Sequence, residues 1–327
     1  MKLHWLVIIA GLLLAACSAA PSPDQSPVSA PLQGDELPGR LLFSREGGVW
    51  LWEGRIARQL IAPPATQPAF DPRGERIVYV AARAGASDLW VADSSGAMLA
   101  QLTRNDPVAP PGSIERVYAA MWAFYPVWLP DGSGVLAAAQ AAPPVGDPPT
   151  DAPFAIFRYD LNGQRQPVFA DANAHIGRIV VLPSHENELI AVRTVLGSDG
   201  QQQLYRIASG QAEPLPGAPT PAYDPAVSPD GRWMVFAVRI NGGSDLYTLP
   251  AAGGSPVRIT DLGTARAPVF SPDGTLLAFL AIPPGERGFD LYLATVTVDD
   301  EGLRLGPSRR FSTGFAINPD AGLSWTR

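Results

Sequence analysis

The sequence predicts an all-β fold: a six-bladed β-propeller of four-stranded antiparallel blades, closed by N- and C-terminal strands that share one blade. Three observations carry this. A proline-glycine corner recurs along the chain, short apolar strands follow each corner in the same order, and the two ends supply complementary parts of one unit.

The corner is clearest as Pro225-Ala226-Val227-Ser228-Pro229-Asp230-Gly231 and Pro268-Val269-Phe270-Ser271-Pro272-Asp273-Gly274. Close variants begin at Pro68 and Pro126. Proline fixes φ, aspartate bonds a nearby backbone N–H, and glycine accepts positive φ, so the chain reverses tightly between two strands. The corner aspartates are therefore turn residues. After each corner comes an apolar strand (77–80, 135–137, 234–237, 276–279), then a polar turn and a third strand. In three units that third strand opens on aspartate: Asp88-Leu89-Trp90, Asp245-Leu246-Tyr247 and Asp290-Leu291-Tyr292. A short fourth strand closes the unit, as at 98–103 and 256–260. The corners at Pro225 and Pro268 stand 43 residues apart and those at Pro68 and Pro126 stand 58 apart, a spacing that suits a blade of four short strands.

A worn copy at 179–192, with strands at 203–207 and 212–215, supplies a fifth unit that lacks the Asp-Gly corner. Residues 41–44, 49–52 and 57–60 read as strands two, three and four of a blade without its first strand. The C-terminus offers an orphan strand at 322–326, with Trp325 where other units carry Phe70, Trp128 or Phe270. Joining the two ends makes the count six and removes the open edge of a linear array. Asn318-Pro319-Asp320 leaves too few residues after it to build a seventh blade.

Ahead of the body, residues 1–16 have the form of a lipoprotein signal peptide: Lys2, an apolar run at 6–14, then Leu14-Ala15-Ala16-Cys17. The run is too short to span a bilayer, and its end resembles the lipobox in which the cysteine is acylated. Residues 17–39, rich in Pro, Ser and Ala, read as the lipidated Cys17 and a solvated tether, with the propeller occupying 40–327. The expected location is extracytoplasmic, anchored to a bacterial membrane.

The corner and the Asp-Leu-Tyr/Trp strand resemble the propeller of the periplasmic TolB family. The same repeat occurs in the N-terminal propellers of prolyl oligopeptidase-type and dipeptidyl-peptidase-type proteins. The resemblance covers roughly residues 40–327 and implies an interaction platform in the cell envelope. The additional α/β domain of TolB has no counterpart in the Pro-rich stretch before the first blade, which puts a role in TolB's own complex in doubt.

Composition narrows the function classes. Of 327 residues, Lys+Arg number 24 against 31 Asp+Glu, a formal charge of −7, and Lys2 is the sole lysine. An acidic body without a basic stripe makes nucleic acid an unexpected partner. Cys17 is the single cysteine, so an internal disulfide and a cysteine metal cluster are both ruled out. Of three histidines, His4 falls in the leader, leaving His175 and His185, too few for a His-rich metal site. No Gly-x-Ser-x-Gly elbow and no phosphate-binding glycine loop occurs, so no catalytic residue, metal or cofactor is assigned.

Topology still indicates where binding should develop. In an up-and-down blade, the turns between strands two and three and the links to the next blade fall on one face. The corners and the strand three–four turns fall on the other. The long insertions at 105–118 and 141–153, with a smaller one at 283–288, all belong to the first face. Residues entering the inner strands there would rim the channel: Tyr118, Trp122, Tyr125, His175, Arg178, Tyr223 and Arg266. Aromatic and arginine side chains suit a recognition surface. The expectation is a binding module for an envelope protein, peptide or glycan. The alternatives are a propeller-type hydrolase or lyase working at the channel mouth, or a structural or stress-sensing envelope component. An enzyme would need His175, Arg178 and Arg266 within reach of one another.

Overall fold

The structure, a computed structural model, describes residues 29–327 except Ala84, Asp151 and Ser184. The signal peptide and Cys17 lie outside the described residues. Six antiparallel sheets follow one another around a ring. Blade two runs Thr66–Phe70, Arg76–Arg83, Ala86–Asp93, Met98–Gln101 from the channel outward. Blade three is Ala123–Trp128, Gly134–Gln140, Phe154–Asp160, Arg165–Phe169. Blade four is Ala174–Leu182, His185–Val195, Gln202–Ala208, Gln211–Pro214. Blade five is Ala222–Val227, Trp233–Ile240, Gly243–Pro250, Val257–Arg258. Blade six is Arg266–Phe270, Leu276–Ala281 and the long Asp290–Asp299. Gly302–Leu305 pairs with the C-terminal half of that long strand and Arg309–Arg310 with its N-terminal half.

Blade one closes the ring as the sequence predicts. Ser324–Thr326 pairs with Leu32–Arg45 through Leu41↔Trp325, and Leu32–Arg45 pairs in turn with Gly48–Ile61. That last segment folds back at Gly54 (φ 58°), bringing Ile61 beside Gly48, so it supplies both outer strands. The first strand reaches back to Leu32, inside the stretch expected to be tether. This corrects the boundary at 39: Leu37 is buried in the core and Leu32 pairs with Ala57, because an apolar side chain at the edge of a blade finds cover there.

Each of six apolar clusters is shared by two neighbouring blades. Second and third strands are therefore covered on both faces and read as continuous apolar runs; Gly134–Gln140 is buried at every position. Trp325 joins Leu41, Trp52 and Phe311 in the cluster between blades six and one, and its indole N–H donates to the Pro38 carbonyl at 2.8 Å.

The corner aspartates do what their positions imply. Asp273 accepts from the Ser271 hydroxyl and the Thr275 N–H, and Gly274 sits at φ 74°. Asp71, in the variant corner, accepts from the Glu75 and Arg76 N–H groups and from Arg76 Nε. Arg76 then reaches the next blade, bonding the Gly132 carbonyl and covering the Trp128 ring at 4.5 Å. The aspartates that open third strands are buried. Asp88, Asp245 and Asp290 each accept from a hydroxyl on the link to the next blade (Thr103, Thr260, Ser312), fixing where that link departs. Among the described residues no helix is long and apolar enough to cross a membrane.

Candidate functional site

Inner strands enter the ring on the face that carries the long insertions. In five blades the inner strand slips register against its neighbour: between Thr66 and Ala69, Phe124 and Val127, Ile176 and Ile179, Tyr223 and Ala226, Arg266 and Val269. In four of these the slip falls on a residue before proline, at Gln67, Tyr125, Asp224 and Ala267, all with φ of 50–53°. Proline cannot donate to the ladder, so the pairing breaks and the extra residue re-aims its side chain. Holding a non-glycine residue there costs about 1–3 kcal/mol. Two bulges reach the next one: Gln67 Oε1 accepts from the Tyr125 N–H at 2.6 Å, and Asp224 Oδ2 from the Ala267 N–H at 3.2 Å.

Asp224 thereby becomes the hub of the channel mouth. Arg178 Nε lies 3.2 Å from its Oδ1, and Arg266 Nε donates to its Oδ2 at 3.0 Å. Arg266 also pairs with Asp320 at 2.9 Å, while Arg178 donates to the Asp320 carbonyl at 2.9 Å. Each guanidinium covers a tyrosine: Arg178 over Tyr125 at 5.2 Å and Arg266 over Tyr223 at 5.3 Å. Burial works against the Arg266 charge, but attraction to Asp224, with Asp320 behind it, outweighs that and holds its pKa above the ordinary arginine value.

This network floors a cavity of about 520 Å³, walled by Phe124, Tyr125, Phe154, His175, Tyr223, Arg239 and Gln202. A second cavity of about 360 Å³ continues along the inner strands toward the corners; Tyr125, Arg178 and Asp224 border both, so the ion pairs divide the channel. Three guanidiniums (Arg178, Arg239, Arg266) against two carboxylates (Asp224, Asp320) leave the mouth one positive charge in an acidic protein. Among the described residues no carboxylate pairs with Arg239, whose guanidinium lies 6.0 Å from the Tyr223 ring. His175 Nδ1 accepts from the Phe154 N–H at 3.1 Å, which leaves Nε2 as the nitrogen free to donate.

Of the residues expected at the rim, Tyr125, His175, Arg178, Tyr223 and Arg266 meet in this one cavity. His175 lies within the inner strand of blade four, one position after its start. Tyr118 and Trp122 stand apart. Tyr118 sits on the short helix Ile114–Ala119, and its hydroxyl donates to Gly146, tying the two insertions together. Trp122 stacks on Phe124 at 5.7 Å but lines a different cavity, of about 440 Å³, between the insertions. Sequence reasoning missed Asp224, Arg239 and Asp320. Asp224 was legible in principle, because residue-before-proline recurs at the head of four inner strands. Asp320 comes from a 3₁₀ turn, Pro319–Ala321, that no repeat announces. Among the described residues no group of three or more His, Cys, Asp or Glu is placed to hold a metal ion.

No protein-family model matches the sequence, and no curated protein matches it. Solved structures do match in fold. TolB from Acinetobacter baumannii superposes with a TM-score of 0.62 at 16% identity, over 88% of this chain and 66% of that one. The tricorn protease gives 0.57 at 16%, over 84% of this chain and 26% of that one. An oligogalacturonate lyase in complex with manganese gives 0.51 at 14%, over 85% and 74%. The chain thus spans just under two thirds of the TolB chain and about a quarter of the tricorn protease.

Proposed function

We propose that the chain is an extracytoplasmic binding module, anchored through acylated Cys17, whose channel mouth holds an envelope protein, peptide or glycan without turning it over. The observation that carries this reading is the convergence of Tyr125, His175, Arg178, Tyr223 and Arg266 on one cavity. Their arrangement suits holding more than reacting. Both Asp224 oxygens are taken by donors, and two of the guanidiniums are already paired. Arg239 is left to receive an anionic group of the ligand, with Phe124 and Phe154 supplying apolar wall of the same cavity. The fold shared with TolB, a propeller protein, supports an envelope role.

The test is capture from envelope extract by the chain from Cys17 onward, comparing Arg239→Ala and Tyr125→Ala with Arg73→Ala and Arg232→Ala on the corner face. Loss confined to the mouth variants supports the reading; loss confined to the corner variants overturns it. Cys17→Ser tests the anchor separately, since it should abolish lipid labelling and membrane fractionation.

One observation favours an enzyme instead. His175 and the paired arginines share a cavity, as acid–base chemistry would require, and a lyase and a protease are among the proteins similar in fold. Turnover of an acidic oligosaccharide or a peptide that is lost in His175→Gln, with binding kept, would replace the binding reading by this one.

A further inference from the structure

We infer that the insertion-bearing face docks on the surface of the bilayer, through an apolar patch on two insertions, the link from blade two to blade three and the second-to-third strand turn of blade three. The inference rests on the Cys17 anchor proposed above and adds the orientation of the ring to it.

The first observation is where exposed apolar side chains lie. Val108 is fully exposed, and Ile114, Val117 and Val145 are 59%, 45% and 70% exposed. All four belong to the two insertions. Ile114 and Val117 stand three apart on the helix Ile114–Ala119, hence on one side of it, and that helix buries none of its residues. Leu196 and Leu262, also exposed, lie on the same face, in the second-to-third strand turn of blade four and the link from blade five to six. Among the described residues, the Pro-Asp-Gly and Pro-Arg-Gly corners of the opposite face carry no exposed large apolar side chain. The other exposed large apolar side chains, such as Ile56, Met98, Val168, Val257 and Val298, are spread around the outer edges of the blades, whereas four gather on these two insertions, which the Tyr118–Gly146 bond ties together.

The second observation is where the chain leaves the body. The Ser29 hydroxyl bonds the Glu46 carboxylate at 3.2 Å, and Glu46 lies in the turn between the second and third strands of blade one. That turn is on the insertion face. The eleven residues 18–28 separate Ser29 from Cys17, and at no more than about 3.6 Å each they reach at most roughly 40 Å. A short lead from that face holds the insertions, not the corners, toward the membrane.

The chemistry fits a neutral lipid surface. Val, Ile and the prolines at 110–111, 143–144 and 148–149 are side chains that enter the interface without a charge to dehydrate, whereas an anionic surface would be repelled by a chain of net charge −7. Contact through the insertions of blades two and three alone tilts the ring, leaving the mouth open to a ligand from the side of blades four to six.

The experiment couples the chain from Cys17 onward, through its single thiol, to maleimide-bearing phosphatidylcholine vesicles. This fixes the tether whether or not the cell acylates it. The photo-crosslinker p-benzoylphenylalanine replaces Val117 or Val145 in one set and Arg73 or Arg232 in the other. Lipid adducts several-fold more abundant at the first pair, and lost when Val108 and Ile114 are both changed to Asp, are the expected result. Equal adducts on both faces, or none at the insertions, overturn the inference. Palmitate labelling of the native chain is read in parallel. Its failure alongside insertion-face adducts removes the native anchor and leaves the docking surface standing.

Discussion

The two ends of the propeller are built on different logic. On the corner face, short turns repeat the same chemistry: a proline, a glycine with positive φ, and a side-chain acceptor bonded within five residues. On the insertion face, contacts run between blades: Arg178 of blade four and Arg266 of blade six meet on Asp224 of blade five, and Asp320 of the C-terminal link completes the set. The corner is local and redundant, so it can be copied. The mouth is non-local and made once. Architecture therefore resides in the repeat, and specificity in its departures.

That contrast predicts unequal consequences of mutation. The largest effect should come from the closure that both faces share. Removing residues 322–327 takes Trp325 from the core and exposes the inner edge of blade one. Loss of a large aromatic alone costs about 3–5 kcal/mol, so the thermal midpoint should fall by many degrees. A midpoint within a degree or two of the intact chain would show that the shared blade is dispensable.

Next comes Asp290, buried and bonded to Arg310, Ser312 and the Gly314 and Phe315 N–H groups. Asp290→Ala strands these donors and should cost about 3–5 kcal/mol in urea unfolding. Smaller is Asp71→Asn at the corner of blade two, expected at about 1–3 kcal/mol. Burial alone would raise the Asp71 pKa, but hydrogen bonds from Arg76 and Glu75 prevail and hold it below the usual carboxylate value. Asp230 and Asp273 are lowered too, by their serine and backbone donors, in the first case against burial. A lowered folded-state pKa gives stability that is present above about pH 4 and is lost as pH falls through the folded value. Asp71→Asn should therefore flatten the acid limb of stability against pH; an unchanged limb would detach these corners from acid unfolding.

At the mouth the balance reverses. Arg239→Ala should leave stability within about 0.5 kcal/mol, since no carboxylate depends on it among the described residues, while ligand capture falls. Smallest of all is Arg232→Ala on the corner face. Its pair with Asp230 is exposed, and both stability and capture should stay unchanged within about 0.5 kcal/mol.

The same contrast decides what could be read from the chain. Blade number, strand order and the shared blade were legible because the Pro225 and Pro268 corners declare the period and the orphan strand at Trp325 completes it. Even the worn fourth blade was found, since strand alternation survives where Leu182 and His185 now close the corner. The rim was half legible. Tyr125, Arg178 and Tyr223 could be placed by counting into each inner strand, but Tyr118 and Trp122 sit on an insertion whose fold no repeat dictates. The acids of the mouth were hidden for another reason. Asp224-Pro225 sits just ahead of a corner motif, and only the bulge turns its carboxylate into the channel; Asp320 arrives from the far end of the chain. The tether boundary failed because Leu37 is a single apolar residue in polar company, and its burial depends on the closing blade.

That closing blade also sets the order of events during biosynthesis. A chain emerging from its N-terminus makes blades two to six in sequence, each able to pack on the one before it. The strand around Leu41, made first, waits unpaired on its inner side until Trp325 has been made. Through that interval the nascent protein carries an edge that any other extended chain could occupy. A carboxy-terminal fusion or tag should be most disruptive if it delays that last pairing, and its damage should appear as aggregation during expression before it appears as a lowered melting point.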